Sequence, residues 1–329
     1  MKTLRIHRVD NTMYGRYHSP WFKMFSEFLS QYFNIEWKDY ATSPDQGNSL
    51  IELQSEISGF GYNPPLSDVD CVIENLDNKK FVVLSFTEYF NSYVVHYLKS
   101  DNCQKVCLVH FSYQNIYDWL KRDNLTRRIG DVSPWFFGRF HDYDYMKYRE
   151  HRQNTEIFNK QLFYKGSGAN YREVITLLNN DNFLNNYSVP HEIYLTQMSE
   201  AKLGLSYYMD LDNYSTPYDH TGEFCYRDVE YMSVGLPYIR IEYKDHVYNG
   251  LIPNYHYVSI PREKAYMTYL QKGNEGVSEL IREKYYEVID DDAFLNFISK
   301  NQMEWFDKYA AWPVSADFTI KLTKIDEWI

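Results

Sequence analysis

HTGEFCYRDVEYMSVGLPYIR, residues 220–240, is the stretch on which the fold turns. Residues 224–234 suit one short helix. Gly235 suits the left-handed position just past its end, and Pro237 keeps the helix from continuing. The apolar run PYIRIEY (237–243) then reads as a buried strand. A short helix feeding an apolar strand is the alternation expected of a parallel sheet with helices on its faces.

The same alternation extends in both directions. Just upstream stand a strand KQLFYKG (160–166), a helix NYREVITLLNN (170–180) and a strand KLGLSYY (202–208). Farther toward the N-terminus, TLRIHRV (3–9), VDCVIE (69–74), KFVVLSF (80–86) and KVCLVHF (105–111) alternate with helical stretches such as WFKMFSEFLSQYF (21–33). A polar, charged interval around 141–160 separates the two runs. Two α/β halves are therefore expected, meeting near residue 155. From 276 the chain reads as helical, and residues 291–310 line up Phe294, Phe297, Ile298, Trp305 and Tyr309 as a packing stripe.

Composition bounds the partners. With 329 residues, 44% of them hydrophobic, and 33 tyrosines, the chain has length for two ordinary domains and apolar area enough to exclude disorder. The 34 basic residues against 45 acidic ones leave a net charge of −11, which repels a polyphosphate backbone and disfavours nucleic acid as a partner. MKTLRIHRVD reads as a strand rather than a signal peptide, and no window approaches the ~18 apolar residues of a membrane helix, so a cytoplasmic protein is expected. Cys71, Cys103, Cys107 and Cys225 have no paired spacing and read as reduced, buried thiols.

Within the helix of the opening stretch, Arg227 and Glu230 share a face at i, i+3 spacing. Gly222, ahead of it, would let backbone N–H groups approach an anion at the helix N-terminus. An arginine forks onto a diphosphate with charge-assisted bonds worth on the order of 1.5–3 kcal/mol each. A glutamate one turn on accepts ribose hydroxyls, as carboxylates do in dinucleotide sites. Taken alone, the pair reads equally well as an ordinary surface ion pair.

The combination is more specific. RDVEYMSVGLP (227–237) resembles the R-x-x-E-x-x-x-x-G-x-P segment in the C-terminal domain of glycosyltransferases of the two-Rossmann, GT-B type. SEAKLGLSYY (199–208) resembles the helix-to-strand step leading into that segment, and LFYKGSGANYREVI (162–175) the first strand, glycine loop and first helix of the donor domain. The resemblance covers residues 160–310. It implies two Rossmann-like domains, an acceptor-binding half at 1–155 and a nucleotide-sugar donor half at 156–310, with 311–329 as a helix packing back on the first. Gly166, Gly168, Arg172, Gly222, Tyr226, Arg227 and Glu230 are implied as donor-binding residues, with Lys165 beside the phosphates. The nucleotide-sugar is a co-substrate, so no cofactor is required. Many retaining members carry two glutamates eight positions apart; here Glu223 and Glu230 are seven apart, which leaves the stereochemical outcome open.

Activating an acceptor hydroxyl in an inverting enzyme needs a carboxylate or histidine within hydrogen-bond reach. Ligands of parallel α/β sheets bind beyond the carboxyl ends of the strands, which selects Asp10, Glu88 and His110, with His18 in the glycine-containing loop NTMYGRYHSP. Asp10 and Glu88 join Arg227 as the catalytic candidates; His18 and His110 are acceptor-side candidates. His110 also reads as a hydrogen-bonded core histidine.

Other features carry rival readings. The basic run KRDNLTRR (121–128), with Arg139, Lys147, Arg149 and Arg152 and interleaved rings at Trp135, Phe136 and Tyr143, could hold a sugar chain or a single nucleic-acid strand, or be a solvated face. Three Asp-x-Asp pairs, 68/70, 142/144 and 210/212, raise the metal-dependent, single-domain glycosyltransferase fold, whose carboxylates hold a divalent ion. The expected function is transfer of a sugar, hexosyl or pentosyl, from a nucleotide-sugar to an acceptor hydroxyl of a glycan, glycoconjugate or small molecule, without a metal. The alternatives are a DNA-modifying glycosyltransferase of the phage kind, suggested by the Asn- and Tyr-rich composition, and a non-catalytic sugar- or nucleotide-binding protein.

Overall fold

The computed structural model describes residues 1–10, 22–41, 52–67, 70–85, 92–108, 113–134, 144–164, 173–180, 183–185, 190–207, 214–215, 221–222, 224–244 and 250–329. The fold class is α/β, with two Rossmann-like units and a helical C-terminal region. One unit comprises Met1–Asp142 with Trp312–Ile329, the other Tyr143–Ala311. No helix among the described residues is long and apolar enough to cross a membrane.

The first unit carries a six-stranded sheet. Its strands are β1 (Thr3–Asp10), β2 (Asn34–Ala41), β5 (Asp70–Asn75), β6 (Phe81–Ser85), β7 (Cys103–Leu108) and β8 (Val132–Pro134), in the order β2-β1-β5-β6-β7-β8; β3 (Glu52–Gln54) and β4 (Pro65–Ser67) form a separate ribbon. A helix α1 over 22–29 leads into β2, while α2 (Ser92–Lys99) and α3 (Tyr113–Arg122) cross between β6, β7 and β8. The sheet is mixed, not wholly parallel: β5 runs antiparallel to both β1 and β6. Residues 76–80 are the reason. Five residues can turn a hairpin but cannot make a parallel crossover, which takes a dozen or more. Asn75 Oδ1 accepts the Asp77 N–H at 3.0 Å, and Lys79 takes a left-handed φ of 62°, so the chain reverses at once. Both hairpin strands are buried throughout.

The C-terminal segment belongs to this unit. Helix Val314–Thr323 is followed by a 3₁₀ turn, Ile325–Trp328. Gln104 Nε2 donates to the carbonyls of Thr323 and Lys324, both at 3.0 Å, and Gln104 Oε1 accepts from Trp328 Nε1 at 2.9 Å. Lys2 Nζ reaches the Trp328 carbonyl at 2.7 Å.

The second unit is built on a parallel sheet of β9 (Leu162–Phe163), β10 (Leu184–Asn185), β11 (Gly204–Ser206), β12 (Tyr238–Ile241) and β13 (Val258–Ile260), in the order β10-β9-β11-β12-β13. Counted within the unit, the second strand lies outside the first and the third on its other side. The winding therefore reverses between β9 and β11, which is the switch point where doubly wound sheets bind ligands beyond the carboxyl ends. Helices α4 (Tyr145–Gln153), α5 (Glu173–Asn180), α6 (His191–Glu200) and α7 (Tyr226–Val234) precede α8 (Arg262–Val288), which kinks at the left-handed Gly273 (φ 63°), and the long α9 (Asp292–Tyr309). The division from the first unit falls ahead of α4 rather than near 155. Arg149 of α4 is buried and donates to the Ser233 carbonyl at 3.1 Å and, with both terminal nitrogens, to Asp307 at 2.9 and 3.0 Å, which ties α4 to the ends of α7 and α9.

The stripe on α9 is narrower than the sequence implies. Ile298 and Trp305 are buried with Leu295 and Phe306, which follow the helical repeat, whereas Phe297 and Tyr309 lie to the side and are 45% and 39% exposed.

Candidate functional site

Helix α7 starts from Cys225, in extended conformation (φ −129°, ψ 161°). Asp228, one turn in, accepts the Cys225 backbone N–H at 3.0 Å, satisfying a donor the helix leaves free. Its Oδ2 also receives Nη1 of Arg240, and both side chains are fully buried. Cys225 Sγ lies 3.2 Å from Ser206 Oγ at the end of β11. The first turn is thus pinned to both β11 and β12. At the other end Gly235 adopts the expected left-handed conformation (φ 80°) and accepts a hydrogen bond from Ser299 Oγ at 2.6 Å.

Tyr231 fixes the helix against the switch point. Its hydroxyl donates to the carbonyls of Phe163 and Leu205, at 3.3 and 3.2 Å, which bridges the ends of β9 and β11. Arg227 and Glu230 stand beside it with separate partners. The Arg227 guanidinium lies 4.4 Å above the ring of Tyr164, the residue that follows β9. Glu230, 7% exposed, accepts from the Tyr194 hydroxyl of α6 at 2.6 Å through Oε2. Burial, and then the Glu230 charge, push the Tyr194 pKa well above its ordinary value, so it stays protonated and donates. The Tyr164 hydroxyl is buried and has no hydrogen-bond partner among the described residues. A cation that stays charged at any physiological pH, a carboxylate with an oxygen to spare and an unused hydroxyl converge at the switch point. Together they can take an anion and a hydroxyl-bearing group side by side.

The other expected residues divide as follows. Gly222 is left-handed (φ 80°), and a Cβ there would stand 2.3 Å from the Glu242 carbonyl oxygen; its own carbonyl accepts from Lys244 N–H at 2.9 Å. Backbone packing alone requires glycine at that position. Tyr226 is the first residue of α7, and Asp10 ends β1, paired with Ala41. Lys165, Gly166, Gly168 and Arg172, together with His18, Glu88, His110 and Glu223, lie outside the described residues.

Among the described residues the basic run does not form one surface; Arg139, Trp135, Phe136 and Tyr143 lie outside them. Arg128 is buried and donates to the carbonyls of Leu98, Ser100 and Cys103, at 2.7, 3.1 and 2.6 Å. Arg149 and Arg152 are buried in the second unit, Arg152 on the Ser199 and Ala201 carbonyls. Arg122 stacks 4.2 Å over Trp119 and pairs with Asp123. Of the Asp-x-Asp pairs, Asp70 accepts from Ser85 and Tyr97 inside the first unit, and Asp144 caps α4 through the Lys147 N–H at 3.2 Å. Asp68, Asp142, Asp210 and Asp212 lie outside the described residues. The four cysteines are free and buried, and burial pushes Cys103 and Cys107 up to about 12 and Cys225 up to about 11. Tyr164, Tyr194, Asp228 and Arg240 were not singled out from sequence. Arg240 carried a signal, because a lone arginine inside PYIRIEY requires a buried acid nearby.

No protein-family model matches the chain, and no curated protein does. Among solved structures, sucrose-phosphate synthase from Thermosynechococcus elongatus is similar at 13% identity, over 92% of this chain and 71% of that one, with a TM-score of 0.43. HepE of Anabaena in complex with UDP-glucose is similar at 10% identity, over 99% of this chain and 100% of that one, with a TM-score of 0.47. A glycosyltransferase from Rickettsia africae is similar at 9% identity, over 74% and 70% of the two chains, with a TM-score of 0.45.

Proposed function

We propose that the second unit binds the diphosphate and ribose of a nucleotide-sugar, and that the chain is a glycosyltransferase of the GT-B type acting on an acceptor hydroxyl. The observation that carries this reading is the pair on α7. Arg227 and Glu230, one turn apart at the switch point between β9 and β11, hold different partners, Tyr164 and Tyr194, rather than serving as an exposed ion pair. Their types and spacing suit the two halves of such a donor, and the sequence resemblance over 227–237 supports the same assignment.

In the proposed reaction the acceptor oxygen attacks the anomeric carbon, the bond to the diphosphate breaks, and negative charge grows on the departing nucleotide. Arg227 stabilises that charge. Because its interaction strengthens as charge develops, it lowers the barrier rather than only tightening binding. Gly166, Gly168 and Arg172 would lie beside the phosphates, and Tyr226 beside the nucleotide. Glu230 accepts ribose hydroxyls through Oε1, while Tyr194 holds Oε2. Asp10 and Glu88 are the proposed bases, with His18 and His110 on the acceptor side.

Kinetics on two variants test the reading. Arg227→Ala lowers kcat as well as donor affinity, whereas Glu230→Gln acts chiefly on donor KM, since ribose hydroxyls change little between ground and transition states. Near wild-type values for both folded variants would remove the proposal. Donors are found first by thermal shift against UDP, GDP, CMP and dTDP sugars; a ligand at about 100 times its dissociation constant adds about 2.7 kcal/mol to the native state. Tight donor binding without turnover on any acceptor would identify a non-catalytic binding protein.

A further inference from the structure

A second site lies in the first unit, away from the carboxyl-end edge where Asp10 finishes β1. A cavity of about 450 Å³ opens at the edge from which β6, β7 and β8 start, beside Lys80, Asp101 and Arg127. Lys324 and Glu327 of the C-terminal segment complete its wall. The floor is rigid, because Arg128 spends its donors on three backbone carbonyls and on Asp131 at 2.5 Å.

The wall differs from the floor in that its charges are unspent. Lys80 Nζ, the Arg127 guanidinium and Lys324 Nζ have no ion pair or hydrogen bond among the described residues, and neither do the carboxylates of Asp101 and Glu327. Three such cations are concentrated here on a chain whose net charge is −11. Lys324 is held at φ 59°, ψ 29°, just past a helix end, where glycine or asparagine is the usual residue. A lysine there closes the helix, its N–H returning to the Ile320 and Lys321 carbonyls, and sets a cation on the cavity wall. Gln104 holds it in place through the carbonyls of Thr323 and Lys324.

Cations suit phosphate oxygens, and adjacent carboxylates suit hydroxyls. The volume falls within the ~300–1,000 Å³ of small-ligand sites. We propose that this cavity binds a small phosphate monoester bearing hydroxyl groups, a sugar phosphate by class, and that the ligand ties the C-terminal segment to the sheet edge. The site is independent of α7 and of the reaction assigned to it.

Isothermal titration of the full chain at low ionic strength, with glucose 6-phosphate as the probe and inorganic phosphate and glucose in parallel, tests this. Glucose 6-phosphate binds, inorganic phosphate binds more weakly, and glucose does not. Lys80→Gln and Arg127→Gln each weaken binding by about tenfold, the loss of one charge-assisted contact, and Lys324→Asn, which tolerates the left-handed backbone, does the same. Arg227→Ala leaves the affinity unchanged, which separates this cavity from the proposed donor site. Hydrogen exchange on wild type gives a second readout, with amides of 320–329 slowing when glucose 6-phosphate is added. The proposal falls if neither heat nor added protection appears at concentrations on the order of 10 mM, if binding survives the triple variant, or if inorganic phosphate binds as tightly as the ester.

Discussion

Arg240 and Asp228 are the pair whose disturbance tells most about how α7 is held. Both are buried, at 1% and 0% exposure, and the same Asp228 oxygen that receives Arg240 also receives the Cys225 N–H. Arg240→Met leaves the buried aspartate without the guanidinium it receives, and Asp228→Ala removes the carboxylate to which Arg240 Nη1 donates. Either loss costs about 3–5 kcal/mol, and Asp228→Ala adds about 1 kcal/mol for the freed helix-start donor. The double variant Asp228→Ala/Arg240→Met removes both members of the pair and lacks only the acceptor for Cys225. It should recover most of the loss, giving a coupling energy of about 2 kcal/mol or more. Urea unfolding of the wild type, the two single variants and the double measures the cycle. Donor affinity should fall in the singles and return in the double, because the same helix carries Arg227 and Glu230. Strictly additive effects, or single variants within about 1 kcal/mol of wild type, would refute the brace.

Other outcomes follow from single features. His256, 7% exposed, accepts the Ile252 N–H at 2.8 Å through Nδ1, and burial pushes its pKa down to about 4. The folded state therefore favours the neutral ring. That contribution is complete above the ordinary value near 6.5 and is lost as the pH falls toward about 4, at up to about 1.4 kcal/mol per pH unit. Urea midpoints at acid and neutral pH should differ less in His256→Asn than in wild type. Gly235→Ala meets a left-handed φ of 80° and would set its Cβ 2.6 Å from Met303 Sδ, so a loss of about 1–2 kcal/mol or more is expected in the same unfolding assay. Phosphate charge is assigned to Arg227 and Arg172, so chelation with EDTA should leave turnover intact, as should Asp210→Ala and Asp212→Ala. Loss of activity in these would transfer the assignment to a metal-dependent site.

Local chemistry was legible where punctuation and period agree. Gly235 and Pro237 marked the end of α7, and the apolar strands on either side were plain from their runs. The antiparallel β5 was less so, because its apolar run looks like its neighbours' and only the shortness of residues 76–80 betrays a hairpin. Sequence also offered Arg149 and Arg152 as surface cations. Their burial depends on carbonyls and an aspartate brought from distant segments, which no local window contains. The same holds at α7: spacing put Arg227 and Glu230 on one face, but Tyr164 and Tyr194 reach them only through the winding of the sheet.

The route of the chain orders its own assembly during synthesis. The second unit is one unbroken stretch, Tyr143–Ala311, and every partner it needs has been made by the time α9 emerges. The first unit must wait, because Gln104 bonds to Thr323, Lys324 and Trp328, some 220 residues later. Until then β7 lacks the helix Val314–Thr323 that packs against it, and closing so long a loop is slow compared with local folding. A ribosome that stalls after residue 311 would release a finished second unit attached to an unfinished first one. Chaperones would meet the N-terminal unit, made first, as the last to close.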